Sequence, residues 1–296
     1  MNRAETIPPA DITVGEKVPI RSVEVSAYRI PTDYPESDGT FAWNQTTLVV
    51  VELAAGGKTG TGYTYADGCV ASLISATLRN EILDADAMDI SHLHASLEAI
   101  IRNCGNTGLA MMAVSAVDIA AWDLKATMLG LSLGRLLGSA NVGCPLYGSG
   151  GFTSYPPDRL RAQLGGWAEE GFSAVKMKVG SVPSDDAARV RAARDAIGDE
   201  AELFVDANGA YGEAQALGLA SAFRDQGVSW FEEPLPSSEL EGLRRIRSRL
   251  PGGMRLAAGE YGSGSGYFRR MLSSGAVDVL QADATRCGGI TGFLKA

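Results

Sequence analysis

The chain has 296 residues, 45% of them hydrophobic and 21% charged, which supplies ample apolar material for a buried core. Its formal net charge of -9, with no basic stripe, argues against nucleic acid as a partner. No apolar run approaches the ~20 residues of a membrane span, the polar start MNRAETIPPADITVGEK lacks the apolar segment of a signal peptide, and four scattered cysteines without a CxxC pair fit reduced thiols in a cytoplasmic protein.

Residues 1–18 read as a flexible lead-in. Residues 19–30 (PIRSVEVSAYRI) alternate as a half-buried strand does, and residues 46–65 read as two strands joined at Gly56-Gly57. Between them PTDYPESDGTFAWNQ, residues 31–45, is rich in Pro, Gly, Asp and aromatics and is predicted as a long loop, functional or disordered. Helices are predicted over 69–83, 89–103 and 107–129. The last is rich in Ala and Met on nearly every face, the pattern of a buried helix. LGLSLGRLLG, ending at Gly138, marks a junction that closes an α+β domain over 19–140.

From residue 141 the pattern becomes a strict alternation of strand and helix. Apolar runs at 144–148, 174–178, 202–206, 228–232, 255–259 and 277–281 each precede a helix-like segment, which implies parallel strands with right-handed crossovers. Six strands do not close an eight-stranded barrel and leave edges unpaired. The expectation is therefore a β/α barrel domain over 141–296 that continues beyond Ala296, in preference to an open doubly wound sheet.

Charged residues close these runs at regular steps. Lys176 and Lys178 end AVKMK, Asp206 ends LFVD, Glu232 lies in SWFEEP, Glu260 in RLAAGE and Asp283 in VDVLQAD, at intervals of 28, 26, 28 and 23 residues from Lys178 onward. In a parallel barrel such strand ends meet on one rim, where barrel enzymes place their chemistry. Lys176 and Lys178 are two apart and face the same side. Each charge makes the other easier to deprotonate, so a lysine tuned towards neutral pH is expected to act as a carbon-acid base. Asp206, Glu232 and Glu260 offer three hard oxygen donors suited to Mg²⁺, and no histidine or cysteine lies near them to suggest zinc.

AVKMKVG, VDANGAY, WFEEPLP, AAGE and QADATRCGGITG together resemble the enolase superfamily, specifically its mandelate racemase subgroup. The resemblance spans most of the chain and implies a (β/α)7β barrel, present here to about six strands, with an N-terminal capping domain. It implies Lys178 as the base, Lys176 as its electrostatic partner, and Asp206, Glu232 and Glu260 as Mg²⁺ ligands. Asp283 would orient a histidine acting on the opposite face of the substrate. That histidine, and a substrate-binding glutamate, would lie beyond Ala296, since the two histidines present, His92 and His94, read as solvated helix surface. Glu260 and Asp283 stand where the muconate-cycloisomerase-like branch has an aspartate and a lysine, which favours the racemase-like branch.

The same resemblance places residues 31–45, with Tyr34, Phe41 and Trp43, as a mobile lid over the barrel mouth, and residues 63–68, starting at Tyr63, as a second capping loop. Asn208 is the further expected substrate contact. The implied reaction removes the proton alpha to a carboxylate of a small-molecule substrate through an enediolate. Dehydration of an acid sugar to a 2-keto-3-deoxy acid is the first reading. Racemisation or epimerisation of a 2-hydroxy acid is the second, and cycloisomerisation or succinylbenzoate synthesis the third. An inactive metabolite-binding relative is the reading from another class. A homo-oligomer is expected.

Overall fold

Three antiparallel strands, β1 (Ser22–Ser37), β2 (Ala42–Ala55) and β3 (Lys58–Tyr65), make up the first sheet, in that order. They belong to a computed structural model that describes residues 16–139 and 143–296, so most of the expected lead-in and the boundary at 140/141 lie outside the described residues. Val18, the end of that lead-in, is already tied down: its N–H donates to Asp86 Oδ1 at 3.1 Å. Val23, Val49, Val51 and Leu53 bury one face of the sheet completely.

α4 (Leu109–Met128) packs on that face unusually closely. β-Carbons built on Gly60 or Gly62 would collide with its backbone at Ala116, Ala120 and Leu124. The glycines of β3 and the alanines of α4 are thus two sides of one close approach. The helical run α1 (Cys69–Leu73), a π-helical turn (Ile74–Leu78) and α2 (Arg79–Ile82) precedes α3 (Ile90–Ile100), whose first turn is capped by Asp89 accepting from the His92 N–H. α5 (Leu133–Leu136) occupies the glycine-punctuated junction.

Residues 31–45 do not form the expected loop. β1 and β2 run on through them as the arms of a long hairpin that turns only at its tip, where Asp38 Oδ1 accepts from the Thr40 and Phe41 N–H groups. The pairing slips between Pro31 and Glu36. Proline is tolerated there because β1 is an edge strand and the slip absorbs the missing donor.

The second sheet has six parallel strands: β4 (Gly148–Gly150), β5 (Ala174–Lys178), β6 (Glu202–Asp206), β7 (Val228–Glu232), β8 (Arg255–Ala258) and β9 (Val279–Leu280). Their spatial order is their sequence order. A doubly wound sheet reverses its order partway; this one advances in a single direction, as a β/α barrel wall does. The connecting helices are α6 (Pro157–Glu169), α7 (Pro183–Ile197), α8 (Glu213–Asp225), α9 (Leu240–Arg247) and α10 (Gly264–Ser274), with α11 (Gly289–Lys295) after β9. Val175, Met177, Leu203, Val205, Phe231 and Leu256 form the core between strands and helices, leaving alternate side chains for the barrel interior.

The segment after β9 docks on α4 and β3 of the N-terminal domain. Asp118 Oδ1 accepts the Thr291 N–H at 2.9 Å, Ser115 Oγ accepts the Gly288 N–H at 2.9 Å, and Thr64 Oγ1 donates to the Thr285 carbonyl at 2.9 Å. His94 belongs to this junction and is not solvated helix surface: it is 2% exposed, with Nδ1 3.0 Å from Asp118 Oδ2. A buried carboxylate needs such partners. His92 is exposed, as expected.

Candidate active site

Strand pairing sets the inward side chains in layers. Lys176 pairs with Phe204, and Phe204 with Trp230; one layer nearer the C-terminal ends, Lys178 pairs with Asp206, and Asp206 with Glu232. Glu260 lies two residues past the end of β8 and joins the upper layer. Asp206, Glu232 and Glu260 each offer an oxygen, and these lie within 4.8 Å of one another.

Both lysines are engaged with these carboxylates. Lys178 Nζ donates to Asp206 Oδ2 at 2.6 Å, and Lys176 Nζ donates to both oxygens of Glu232 at 2.8 Å while lying 3.4 Å from Asp206. Burial is the largest single effect and would depress both lysine pKa values, but Asp206 together with Glu232 at Lys176, and Asp206 together with Glu260 at Lys178, outweighs it and holds both above the ordinary range. In the ion-free site, therefore, the neighbouring lysine does not by itself tune either lysine towards neutrality: the carboxylates on adjacent strands exceed its effect. Conversely, burial would raise Asp206, and the two lysines keep it below its usual value. Glu232 is pushed up to about 7 by burial and by Asp206, against the pull of Lys176.

Asn208 is brought to the same place. Its backbone, at φ 46°, turns so that the N–H donates to Asp206 Oδ1 at 3.0 Å and Nδ2 donates to Glu260 Oε1 at 3.1 Å. Its Oδ1 is buried without a partner. Glu233, which sequence reading passed over, is buried beside the cluster at φ 38° with Oε1 unpartnered. Burial, then Asp206, Glu260 and Glu232, push it up to about 9. The doubled glutamate of SWFEEP was the available signal.

The sign of the Glu233 shift gives a prediction. A carboxyl that ionises near 4.5 unfolded and about 9 folded keeps a proton the unfolded chain has lost, so stability falls as pH rises between those values. Glu233→Gln is expected to flatten the loss of melting temperature of metal-free protein between pH 8 and 9, above most of the titration of Glu232, and to raise it by about 3 °C or more at pH 8. An unchanged slope in thermal melts would refute the assignment.

The expected lid residues serve as anchors. Trp43 Nε1 donates to Glu36 at 2.7 Å, and its ring meets Phe152 edge-on at 5.5 Å. Tyr34 meets Tyr155 edge-on at 5.5 Å and lies under the Arg159 guanidinium. The Thr153 N–H donates to the Ser37 carbonyl at 2.8 Å, and Ser154 Oγ to that of Pro35 at 2.7 Å. The tip is thereby fastened to the loop after β4. A β-carbon on Gly39 would lie 2.7 Å from the Val179 carbonyl oxygen and closer still to that of Ala207, so the tip rests directly on the strand ends carrying Lys178 and Asp206. Asp186 ties those two ends together, accepting from the Gly180 N–H at 3.0 Å and Tyr211 OH at 2.6 Å.

Tyr63 is not brought to the site. It is part of β3, not of a loop, and lies beside Tyr65 on the face of the sheet opposite α4; its neighbour Thr64 is the one that meets the barrel segment. Asp283 lies beyond β9, where Oδ1 accepts from the Thr285 N–H at 2.7 Å and Oδ2 is 3.3 Å from Arg286 Nε. Among the described residues no histidine faces it.

Three clustered carboxylates with no nitrogen or sulfur donor suit a hard divalent ion that keeps positions for water or substrate. Two lysines now shared among those carboxylates, and the unpartnered Asn208 oxygen beside them, fit a site built around a further cation.

Comparison with known proteins agrees. The family described as mandelate racemase / muconate lactonizing enzyme, N-terminal domain, matches residues 21–138, and the enolase C-terminal domain-like family matches residues 159–296. A mandelate racemase/muconate lactonizing enzyme-like protein from Rubrobacter xylanophilus superimposes with a TM-score of 0.91 at 53% identity, covering 93% of this chain and 77% of that one. L-talarate/galactarate dehydratase from Salmonella typhimurium LT2, liganded with Mg and L-lyxarohydroxamate, superimposes with a TM-score of 0.88 at 28% identity over 100% of this chain and 78% of that one. Aligned by sequence, the Salmonella typhimurium dehydratase is 30% identical over 93% of this chain and 72% of its own. A 3,6-anhydro-alpha-L-galactonate cycloisomerase from Streptomyces coelicolor is 33% identical over 93% and 78%. Asp206, Glu232 and Glu260 are thus placed to hold a divalent ion, and the chain belongs to the mandelate racemase/muconate lactonizing enzyme family of the enolase superfamily.

Proposed function

We propose that the enzyme removes the proton alpha to the carboxylate of an acid sugar and then expels the β-hydroxyl, giving a 2-keto-3-deoxy acid. The observation that carries this reading is the upper layer of the barrel interior, where Lys178 Nζ lies 2.6 Å from a carboxylate of the magnesium set. Lys178, in its neutral form, takes the α-proton at Nζ, and the C–H electrons pass into the substrate carboxylate to give an enediolate. Asp206, Glu232 and Glu260 would hold Mg²⁺, which when bound would supply positive charge to that oxyanion. Lys176 holds Glu232 in place from below and keeps a second cation near the developing charge. Asn208 orients Glu260, and its unpartnered oxygen leaves an acceptor free for a substrate hydroxyl. Asp283 belongs to the opposite face, as the partner of the group that protonates the departing hydroxyl. The enol left after water departs tautomerises to the keto acid. The hairpin tip, fastened across the rim, keeps bulk water from the enediolate.

The dehydratase reading is supported by the likeness to the L-talarate/galactarate dehydratase. The likeness to the cycloisomerase supports a second outcome of the same first step, in which the bond broken at the β-carbon is a ring C–O bond. A library of acid sugars and their lactones, assayed with Mg²⁺ for 2-keto acid formation, separates the two by which set turns over. Polarimetry on the non-reacting compounds detects racemisation. Racemisation of a 2-hydroxy acid without any keto acid would replace this reading with the racemase one.

A further inference from the structure

Apart from Lys176, the lower layer of the barrel interior has no part in the chemistry described so far, and it is aromatic. Phe204 and Trp230 stack at 5.0 Å with 24° between their planes, Tyr147 meets Phe204 edge-on at 5.5 Å, and Lys176 Nζ lies over the Tyr147 ring at 5.4 Å. Trp230 and Glu232 are two apart on β7 and so share the inward face. The Trp230 indole Nε1 donates to Glu232 Oε2 at 3.0 Å.

We infer that Trp230 is a positioning residue of the magnesium site, its indole N–H setting the orientation of Glu232. The inference rests on the assignment of Glu232 as a magnesium ligand. Oε2 accepts from both Lys176 and Trp230, whereas Oε1 accepts from Lys176 alone. Lys176 bonds both oxygens equally at 2.8 Å and so does not distinguish them. The indole breaks that symmetry and leaves Oε1 as the oxygen with a lone pair to give. Stacking on Phe204 holds the indole itself, so the carboxylate plane is set by a ring that cannot swing away. Carboxylate ligands commonly depend on such outer partners, whose loss costs roughly 10–100-fold in metal affinity.

The test is a calorimetric Mg²⁺ titration of wild type, Trp230→Phe and Phe204→Leu, each with a thermal melt. Trp230→Phe keeps an aromatic ring and loses only the donor. It is expected to bind Mg²⁺ at least ~10-fold more weakly, while Phe204→Leu, which keeps the donor but loosens the ring that carries it, lowers the melting temperature with a smaller loss of affinity. If Trp230→Phe does not fold, 3-benzothienylalanine at position 230, an isostere without the N–H, replaces it with the same expected loss. Unaltered affinity in the donor-free variant, or an equal loss in Phe204→Leu, overturns the inference while the metal site stands. Wild-type protein that takes up no Mg²⁺ overturns the site and the tryptophan's role together.

Discussion

Lys178→Ala is expected to reduce exchange of the substrate α-proton with solvent deuterium by ~10²–10⁴-fold, the usual contribution of a positioned general base. The same substitution removes the shortest ion pair in the site and frees Asp206 Oδ2, with Lys176 left 3.4 Å away. Mg²⁺ affinity should therefore be retained or increased, because a competitor for a ligand oxygen is gone. This split separates loss of the base from loss of the metal. NMR-detected exchange in ²H₂O, alongside a Mg²⁺ titration, reads both quantities. Exchange at the wild-type rate with Mg²⁺ bound would remove Lys178 from the role of base.

Asp206→Asn is expected to act on the other half of the site. Its carboxylate is fully buried, faces both lysines and accepts the Asn208 N–H. The amide keeps the shape and removes the charge, leaving two buried ammonium groups to share Glu232 and Glu260. Breaking a buried pair in this way costs about 3–5 kcal/mol, so the metal-free variant should melt well below wild type. Mg²⁺ affinity should fall beyond the ~100-fold typical of an outer partner. Burial and the lysines have opposite effects on this group, and the lysines prevail, so its native charge is maintained by Lys176 and Lys178. A calorimetric titration within a few-fold of wild type would mean that Asp206 is not a ligand.

Much of this site was readable because a parallel barrel converts even spacing in sequence into adjacency on a rim. Lys178, Asp206 and Glu232 fall in register on neighbouring strands, and Glu260 completes the set. What sequence spacing did not carry was the interaction between strands. Two lysines viewed alone repel and lower each other's pKa; opposite two carboxylates they are held protonated. His94 was misjudged for a related reason, since its partner Asp118 lies on another helix, 24 residues on. The hairpin arms were masked by Pro31, Pro35 and Gly39, which mark loops in most settings but fit an edge strand with a slipped pairing and a tip pressed on backbone. Trp230 carried a local signal, two positions before a ligand on the same strand, yet its value depends on an indole orientation that only packing fixes.

The fastening of the hairpin bears on how this scaffold can be re-purposed. Residues 34–43, as a hairpin tip, invite exchange between relatives as a cassette. Their side chains and carbonyls are committed to Phe152, Thr153, Ser154, Tyr155 and Arg159, and Gly39 fits only against the present backbone at Val179 and Ala207. A grafted tip would arrive without its receptor. Exchange of the tip would have to move it and the loop after β4 together, as one unit drawn from two distant stretches of chain.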